Sequence, residues 1–258
     1  MTIVAHFDKC QGLSNRIKNI VSCFRISDDV EVLWNSEVLR FFNQYDISIL
    51  DYFPNLKLTD SIDGKKSRNG WRLEVFDNDL PKDFKEDHYL SKTTCSSNGM
   101  GIDFEYHRIP KSVQDSYIKC FNKLQFNPEI LEKVDEFSNS HFDKNTVSVH
   151  VRTWIDCGQR RREFYKIENF FHLMDKYEDE MFFISTDYHN VISEFQNRYG
   201  KNRIIFYPYP KEYIGIVDQL LLSRNSEFIS SPCSTFSEVA WWFSNCKSNV
   251  KVAWNFKK

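Results

Sequence analysis

The sequence lacks the cysteine patterns of a zinc site or a disulfide framework. Its seven cysteines are scattered and odd in number, and no two of them form a C-x-x-C pair. Zinc sites and disulfide-rich secreted domains need paired or closely spaced cysteines. The sequence also has no Asn-x-Ser/Thr glycosylation sequon. These absences predict reduced thiols in a cytoplasmic protein.

Glycine, excess charge of one sign and long apolar runs are scarce as well. The chain has only 8 glycines and contains neither the three-glycine dinucleotide fingerprint nor a Walker A loop. Lysine and arginine number 34 against 36 acidic residues, and the net charge of −2 argues against a broad basic surface for nucleic acid. No signal peptide or transmembrane run is evident. We therefore expect a soluble protein with no nucleic-acid partner and no integral membrane segment.

Apolar and aromatic residues are abundant, at 41% hydrophobic content with 23 phenylalanines in 258 residues, which is enough for one large domain or two small ones. After residue 145, strand-like segments alternate with amphipathic segments, a pattern typical of a parallel, doubly wound sheet. The predicted strands are 146–151, 181–185, 203–207 and 227–230, and the predicted helical segments are 167–177, 188–199, 212–222 and 235–245.

The first part of the chain begins with a similar β-α-β pattern. Its predicted elements are a strand at 3–7, a helix at 13–24, a strand at 31–34 and helices at 113–124 and 128–137. Residues 55–107 show no regular pattern and predict loops and short strands. The polar stretch 138–145 predicts a linker. The sequence thus predicts an α/β protein of two Rossmann-like halves, residues 1–140 and 141–258, with a ligand cleft between them.

The most informative motif is His150-Val-Arg152, at the end of the predicted strand 146–151. Ligands bind at the carboxyl ends of the strands in open α/β sheets. A guanidinium fixed there has the planar set of donors that suits a phosphate or a carboxylate. The alternative is a surface arginine that merely ends a strand.

Three other predicted strands also end in polar motifs. These are Ser185-Thr-Asp187, Pro208-Tyr-Pro210 and Ser231-Pro-Cys-Ser234-Thr-Phe-Ser237. The last places hydroxyls beside the N-terminus of the final helix, which attracts anions, although simple N-capping would explain the same residues. Asp187 and Asp218 either accept hydrogen bonds from a ribose or a base, or are ordinary surface residues.

Two motifs are open to a structural and a functional interpretation. Gly12-Leu-Ser-Asn15-Arg16 lies between the first strand and the first helix, where glycine allows a ligand to approach the backbone. Arg160-Arg-Arg162 follows the His150 strand after a short loop and is either a ligand contact or a solvated face.

Together these motifs resemble those of the fucosyltransferase superfamily, which contains the α1,6-fucosyltransferases, the bacterial nodulation fucosyltransferase and the protein O-fucosyltransferases. Gly12-Leu-Ser-Asn15-Arg16 resembles its G-x-x-N-[QR] loop, His150-Val-Arg152 its H-x-R motif, and Ser185-Thr-Asp187 its strand-end T-D. Asp218-(x)4-Ser223 and Ser234-Thr-Phe-Ser237 resemble its D-(x)4-S and [CS]-T-F-S pair. The order and spacing of the motifs carry the resemblance.

The resemblance implies a GT-B-like, inverting, metal-independent transferase that passes a sugar, most often L-fucose from GDP-fucose, to a glycan hydroxyl. Arg152 would hold the β-phosphate, and His150 and Asp218 would face the guanine. The other donor-binding positions that it implies are Gly12, Asn15, Arg16, Ser234, Thr235, Phe236 and Ser237. No cofactor and no metal are expected besides the nucleotide sugar.

The expected chemistry needs a cation for the leaving diphosphate and a carboxylate for the acceptor proton. Arg152 is the predicted cation. Asp156 is the first candidate for the proton acceptor, with Glu163 and Asp8 behind it, and Asp187 is predicted to line the reaction centre.

Departures from the superfamily pattern leave the donor and the linkage open. Thr153 stands where many α1,6-specific members have a second arginine, and Tyr188 stands where they often have a second acid. One alternative is another donor such as a UDP-sugar, used with a metal if Asp77 and Asp79 form the D-x-D motif of another glycosyltransferase class and not an exposed turn. The other is a nucleotide-sugar-binding protein without turnover.

Overall fold

The computed structural model of this chain describes residues 2–6, 12–24, 27–34, 48–61, 111–208 and 214–254. Among these residues the chain forms two compact units, the first ending at Pro128 and the second beginning at Glu129. Each unit contains its own parallel sheet.

The first unit contains a three-stranded sheet in the order β1-β2-β3. Its elements are β1 (Ile3–Ala5), α1 (Leu13–Phe24), β2 (Val30–Val32), α2 (Ile49–Tyr52), β3 (Lys57–Leu58) and α3 (Lys111–Phe121). α1 packs against β1, β2 and α3. On its apolar face, Ile17, Ile20 and Val21 are fully inaccessible. The predicted β-α-β start of the chain is therefore confirmed.

The second unit contains a five-stranded sheet in the order β6-β5-β4-β7-β8, and every pair in it is parallel. Its elements are α4 (Pro128–His141), β4 (Val147–Val151), α5 (Gly158–Phe164), α6 (Ile167–Met174), β5 (Phe182–Thr186), α7 (Val191–Tyr199), β6 (Ile204–Ile205), α8 (Ile214–Leu222), β7 (Glu227–Ser230), α9 (Thr235–Phe243) and β8 (Asn249–Val252). The chain starts at the central strand, moves outward on one side and then returns to the other side. This is the predicted doubly wound arrangement.

The central strand β4 is buried on both faces, as a parallel strand covered by helices should be. On one face Val149 belongs to a core cluster with Phe170 of α6 and Phe195 of α7. On the other face Ser148 donates a hydrogen bond to the carbonyl of Leu222 at 2.8 Å, at the end of α8. Because side chains alternate along a strand, β4 carries an apolar face and a polar face at once.

The sequence analysis predicted a linker at residues 138–145, but α4 extends into this stretch. The helix continues to His141, and the His141 ring stacks on Phe137 with 4.3 Å between the ring centroids. The spacing of Val134, Phe137 and His141 follows the helical repeat, and this signal outweighs the polar composition. Residue 140, where the sequence analysis places the boundary between the two halves, lies within α4.

In the second unit, the helix α5 and the strand β8 were not predicted, and in the first unit α2 was not predicted. α5 lies where a loop was expected, so Arg160-Arg-Arg162 and Glu163 are helical. Its N-cap residue, Cys157, makes no capping hydrogen bond through its side chain, which explains the missing start signal. β8 adds an outer strand beside β7.

The sequence analysis gave expectations about membrane-spanning segments and about disulfides, and the described residues bear on both. None of the described helices is long and apolar enough to cross a membrane. The described cysteines form no disulfide with one another; they are Cys23, Cys120, Cys157, Cys233 and Cys246.

Candidate functional site

The motifs that follow β4, β5 and β7 meet at the carboxyl edge of the second unit's sheet. The register pairs His150 with Ser185 and Val149 with Ile229, so the three strands end side by side. Their polar residues form hydrogen bonds with one another or with the helices that follow the strands, as described below. This edge is the candidate functional site.

Arg152 is fixed by contacts from both its side chain and its backbone. Its Nη1 donates to Oδ2 of Asp187 at 2.5 Å, and its Nη2 lies 3.0 Å from both carboxylate oxygens of Asp156. Its backbone N–H donates to the Ser231 hydroxyl at 2.7 Å, and that hydroxyl donates to the His150 carbonyl at 2.9 Å. The guanidinium is thus oriented by protein groups alone.

Asp187 supports the same turn from the neighbouring strand. Besides its ion pair with Arg152, its Oδ1 accepts the backbone N–H of Thr153 at 2.6 Å. The aspartate was predicted to line the reaction centre, and the structure places it in direct contact with Arg152. Sequence reasoning did not predict that the two motifs would form an ion pair.

His150 is buried and uncharged at neutral pH. Its Nδ1 lies 2.6 Å from the hydroxyl of Ser237, and its ring stacks on Phe236 with 4.7 Å between centroids. Burial, together with the charge of Arg152, lowers the pKa of His150 to about 3. A neutral ring can present one donor and one acceptor to its surroundings.

Asp218 lies on α8 and faces the end of β5. The Ser185 hydroxyl donates to its Oδ2 at 2.7 Å. Its Oδ1 is buried and has no hydrogen-bond partner among the described residues. Burial raises the pKa of Asp218 to about 7, and the Ser185 hydrogen bond only partly offsets the effect. A buried acceptor of this kind is costly unless a ligand pairs with it.

The N-terminus of α9 combines capping with support for His150. Ser234 is the N-cap, and its side chain accepts the backbone N–H of Ser237. Ser237 and Phe236 are the residues that contact the His150 ring. Thr235 is the first helical residue and is buried. Ser234 therefore caps the helix, as the alternative interpretation of this motif predicted. Ser237 instead positions the His150 ring of the neighbouring motif.

Trp154 belongs to the site but was missed in the sequence. The guanidinium carbons of Arg152 and Arg160 lie 4.8 Å and 4.9 Å from the centroid of its ring. Its backbone φ of 53° is in the left-handed region, which a bulky residue rarely adopts. Such strain is typical of turns that hold a ligand-binding geometry. No sequence signal marks a tryptophan for this conformation.

The predicted donor residues of the N-terminal loop lie in the first unit. The Gly12 carbonyl accepts the backbone N–H of Arg16 at the start of α1, with Asn15 in the first turn. The Arg16 side chain is fully buried and its guanidinium lies 4.6 Å from the Trp34 ring centroid. Burial lowers the pKa of Arg16 to about 10, so the group remains charged at neutral pH.

Three acidic candidates, Asp8, Asp77 and Asp79, lie outside the described residues. Within the part of the chain that the structure describes, no group of three or more histidine, cysteine or acidic side chains is arranged to hold a metal ion.

The architecture is similar to that of a class of solved glycosyltransferase folds. No protein-family model matches the sequence, and neither does any curated protein. Fucosyltransferase NodZ from Bradyrhizobium is similar in structure, with a TM-score of 0.55 and 14% sequence identity over 93% of this chain and 91% of that chain.

Two further solved structures are similar over comparable lengths. NodZ alpha-1,6-fucosyltransferase soaked with GDP-fucose gives a TM-score of 0.55 and 12% identity over 94% of this chain and 92% of that chain. POFUT1 in its apo form gives 0.52 and 12% identity over 97% of each chain. The predicted α/β fold and the predicted resemblance to the fucosyltransferase superfamily are confirmed at the level of the fold.

The buried carboxyl of Asp218 predicts a pH-dependent stability. Because its folded-state pKa is raised, its favourable contribution is complete below about pH 4 and is lost as pH rises through about 7. Asp218→Asn mimics the protonated form. Between pH 4.5 and pH 8, we expect the free energy of unfolding of the variant to rise by on the order of 1 to 4 kcal/mol relative to that of the wild type.

Urea unfolding of both proteins at several pH values measures this difference. Because the other titratable groups are the same in both proteins, their contributions cancel when one free energy of unfolding is subtracted from the other. A difference that stays constant from pH 4.5 to pH 8 would show that Asp218 ionises normally.

Proposed function

We propose that this chain is a glycosyltransferase that uses a nucleoside diphosphate sugar, with GDP-fucose as its donor and a glycan hydroxyl as its acceptor. The observation that carries the proposal is Arg152, an arginine oriented at the carboxyl edge of a parallel sheet by three separate contacts. A planar guanidinium at such an edge is suited to a diphosphate. The similarity of the fold to solved fucosyltransferases supports the same assignment.

The reaction is an inverting transfer, in which the acceptor hydroxyl attacks the anomeric carbon as the diphosphate leaves. Positive charge develops on the sugar and negative charge on the diphosphate. Arg152 and the N-terminus of α9, at residues 234–237, stabilise the leaving group. Asp156 and Asp187 are the carboxylates beside Arg152, and Asp156, the more exposed of the two, is the candidate for the acceptor proton.

Each part of the chain has a proposed role. Residues 141–258 would bind the nucleotide, and Gly12, Asn15 and Arg16 of residues 1–140 are proposed as further donor-binding residues. Because Arg152 supplies positive charge, the reaction proceeds without a metal. A cytoplasmic location remains a prediction from the sequence.

The base that best fits Asp218 and His150 is guanine. A carboxylate can accept from both N1–H and the exocyclic amine of guanine, whereas uracil has one ring N–H and no amine. The Oδ1 of Asp218 is buried without a partner among the described residues, and a guanine would supply one. The neutral ring of His150, held by Ser237, completes a site that offers hydrogen bonds and little net charge.

Arg152→Ala tests the central assignment. Losing a charge-assisted contact to the diphosphate should reduce kcat/KM roughly 100-fold or more. The assay is release of GDP from GDP-fucose, alone and with oligosaccharide acceptors. Arg198→Ala is the control, because Arg198 also pairs with an aspartate, Asp175, but precedes β6 at the opposite end of the strands. A folded Arg152→Ala protein that keeps more than about a tenth of wild-type kcat/KM contradicts the proposal.

Metal independence is tested with a chelator. Excess EDTA should leave the rate of GDP release unchanged, and added manganese should not raise it, because Arg152 takes the place of a divalent ion at the diphosphate. If EDTA abolishes activity and manganese restores it, the enzyme uses a metal. Asp77 and Asp79 would then be the first residues to substitute.

Guanine specificity is tested by thermal unfolding at pH 8, where Asp218 is ionised. GDP at about 100 times its Kd should stabilise the fold by about 2.7 kcal/mol, and UDP at the same concentration should have little effect. Asp218→Asn should narrow this gap, whereas Asp175→Asn should preserve it. Equal or greater stabilisation by UDP would overturn both the guanine assignment and GDP-fucose as the donor.

A further inference from the structure

We propose that Asp156 competes with the donor's diphosphate for Arg152 and leaves the guanidinium when the donor binds. The inference rests on the proposed function, because it concerns how the same arginine exchanges an internal anion for an external one. It assigns Asp156 a role in setting the affinity for the donor.

The accessible edge of Arg152 already holds a carboxylate. Nη1 bonds to Asp187, and Nη2 bonds to both oxygens of Asp156 at 3.0 Å. The two carboxylates together carry more negative charge than one guanidinium carries positive charge. A diphosphate brings at least two further negative charges, so a third anion cannot join without repulsion. One of the two carboxylates must give up its place.

The two carboxylates are held very differently. Asp187 has two donors, the Arg152 side chain and the Thr153 N–H at 2.6 Å, and its side chain is only 15% exposed. Displacing it would leave a backbone donor unpaired. Within the described part of the chain, the Asp156 side chain forms hydrogen bonds with Arg152 alone, and it is 46% exposed. Exposed ion pairs of this kind contribute little stability, because water and salt screen them.

Asp156 can move without disturbing the rest of the site. It lies in the turn between Trp154 and α5, and the Cys157 N–H bonds to the Trp154 carbonyl at 2.9 Å, so the backbone of the turn does not depend on the Asp156 side chain. Water can solvate the released carboxylate. Asp156 therefore yields to the diphosphate, and Asp187 stays.

The test is the affinity of the Asp156→Asn variant for GDP and for inorganic pyrophosphate, measured by calorimetry. Removing the competing charge should tighten both Kd values by roughly two- to fivefold. Asp156→Ala should also tighten both Kd values. Because alanine has no polar side-chain atom, this result would exclude a new contact made by the asparagine as the cause.

Asp175→Asn is the matched control. Asp175 is 43% exposed and forms an ion pair with Arg198 at 2.5 Å, but it lies between α6 and β5, at the end of the sheet where the strands begin. The Asp175→Asn substitution changes the net charge by the same amount as Asp156→Asn, and it should leave the Kd values for GDP and pyrophosphate unchanged. Equal tightening in the control would assign the effect to overall charge and overturn the inference.

Two other outcomes separate the inference from the proposed function. If the wild type binds GDP and the Asp156 variants bind it equally or more weakly, Asp156 does not compete with the donor, and the proposed function stands without this inference. If the wild type binds neither GDP nor pyrophosphate, the proposed function fails and the inference fails with it.

Discussion

The parallel register of β4 with β5 and β7 is the constraint on which the candidate site depends. Because His150 lies opposite Ser185 and Val149 opposite Ile229, three strands end at one level. Residues far apart in the chain are thereby placed within hydrogen-bonding distance of one another. A shift of two residues in the pairing of β4 with β5 would separate Arg152 from Asp187, and a shift of one would turn each side chain to the other face.

The electrostatics of the site follow from what is buried around the arginine. His150 is kept neutral by burial, and the carboxyl of Asp218 ionises only near neutral pH. Arg152 is balanced by carboxylates that differ in how firmly they are held. The geometry is set by protein hydrogen bonds before a ligand arrives, which is the arrangement that stabilises developing charge most effectively.

Much of the second unit could be predicted from its sequence, because its strands are short apolar runs between amphipathic helices. The same pattern predicted that a strand ends beside Arg152. The pairing of Arg152 with Asp187 could not be predicted, since no local pattern encodes the partner of a side chain from another strand. Trp154 was missed because its strained backbone has no sequence signature, and α5 was missed because its arginine run resembles an exposed loop.

The hydrogen bonds between motifs have a consequence for how this sequence can change. His150 bonds to Ser237 and Ser185 bonds to Asp218, so each of these side-chain pairs couples motifs from different strands or helices. A substitution at one member leaves the other with an unmatched buried polar group. Tolerated changes should therefore occur as pairs. Divergent relatives would be recognised by covariation between these positions even where each motif, taken alone, has become too short to detect.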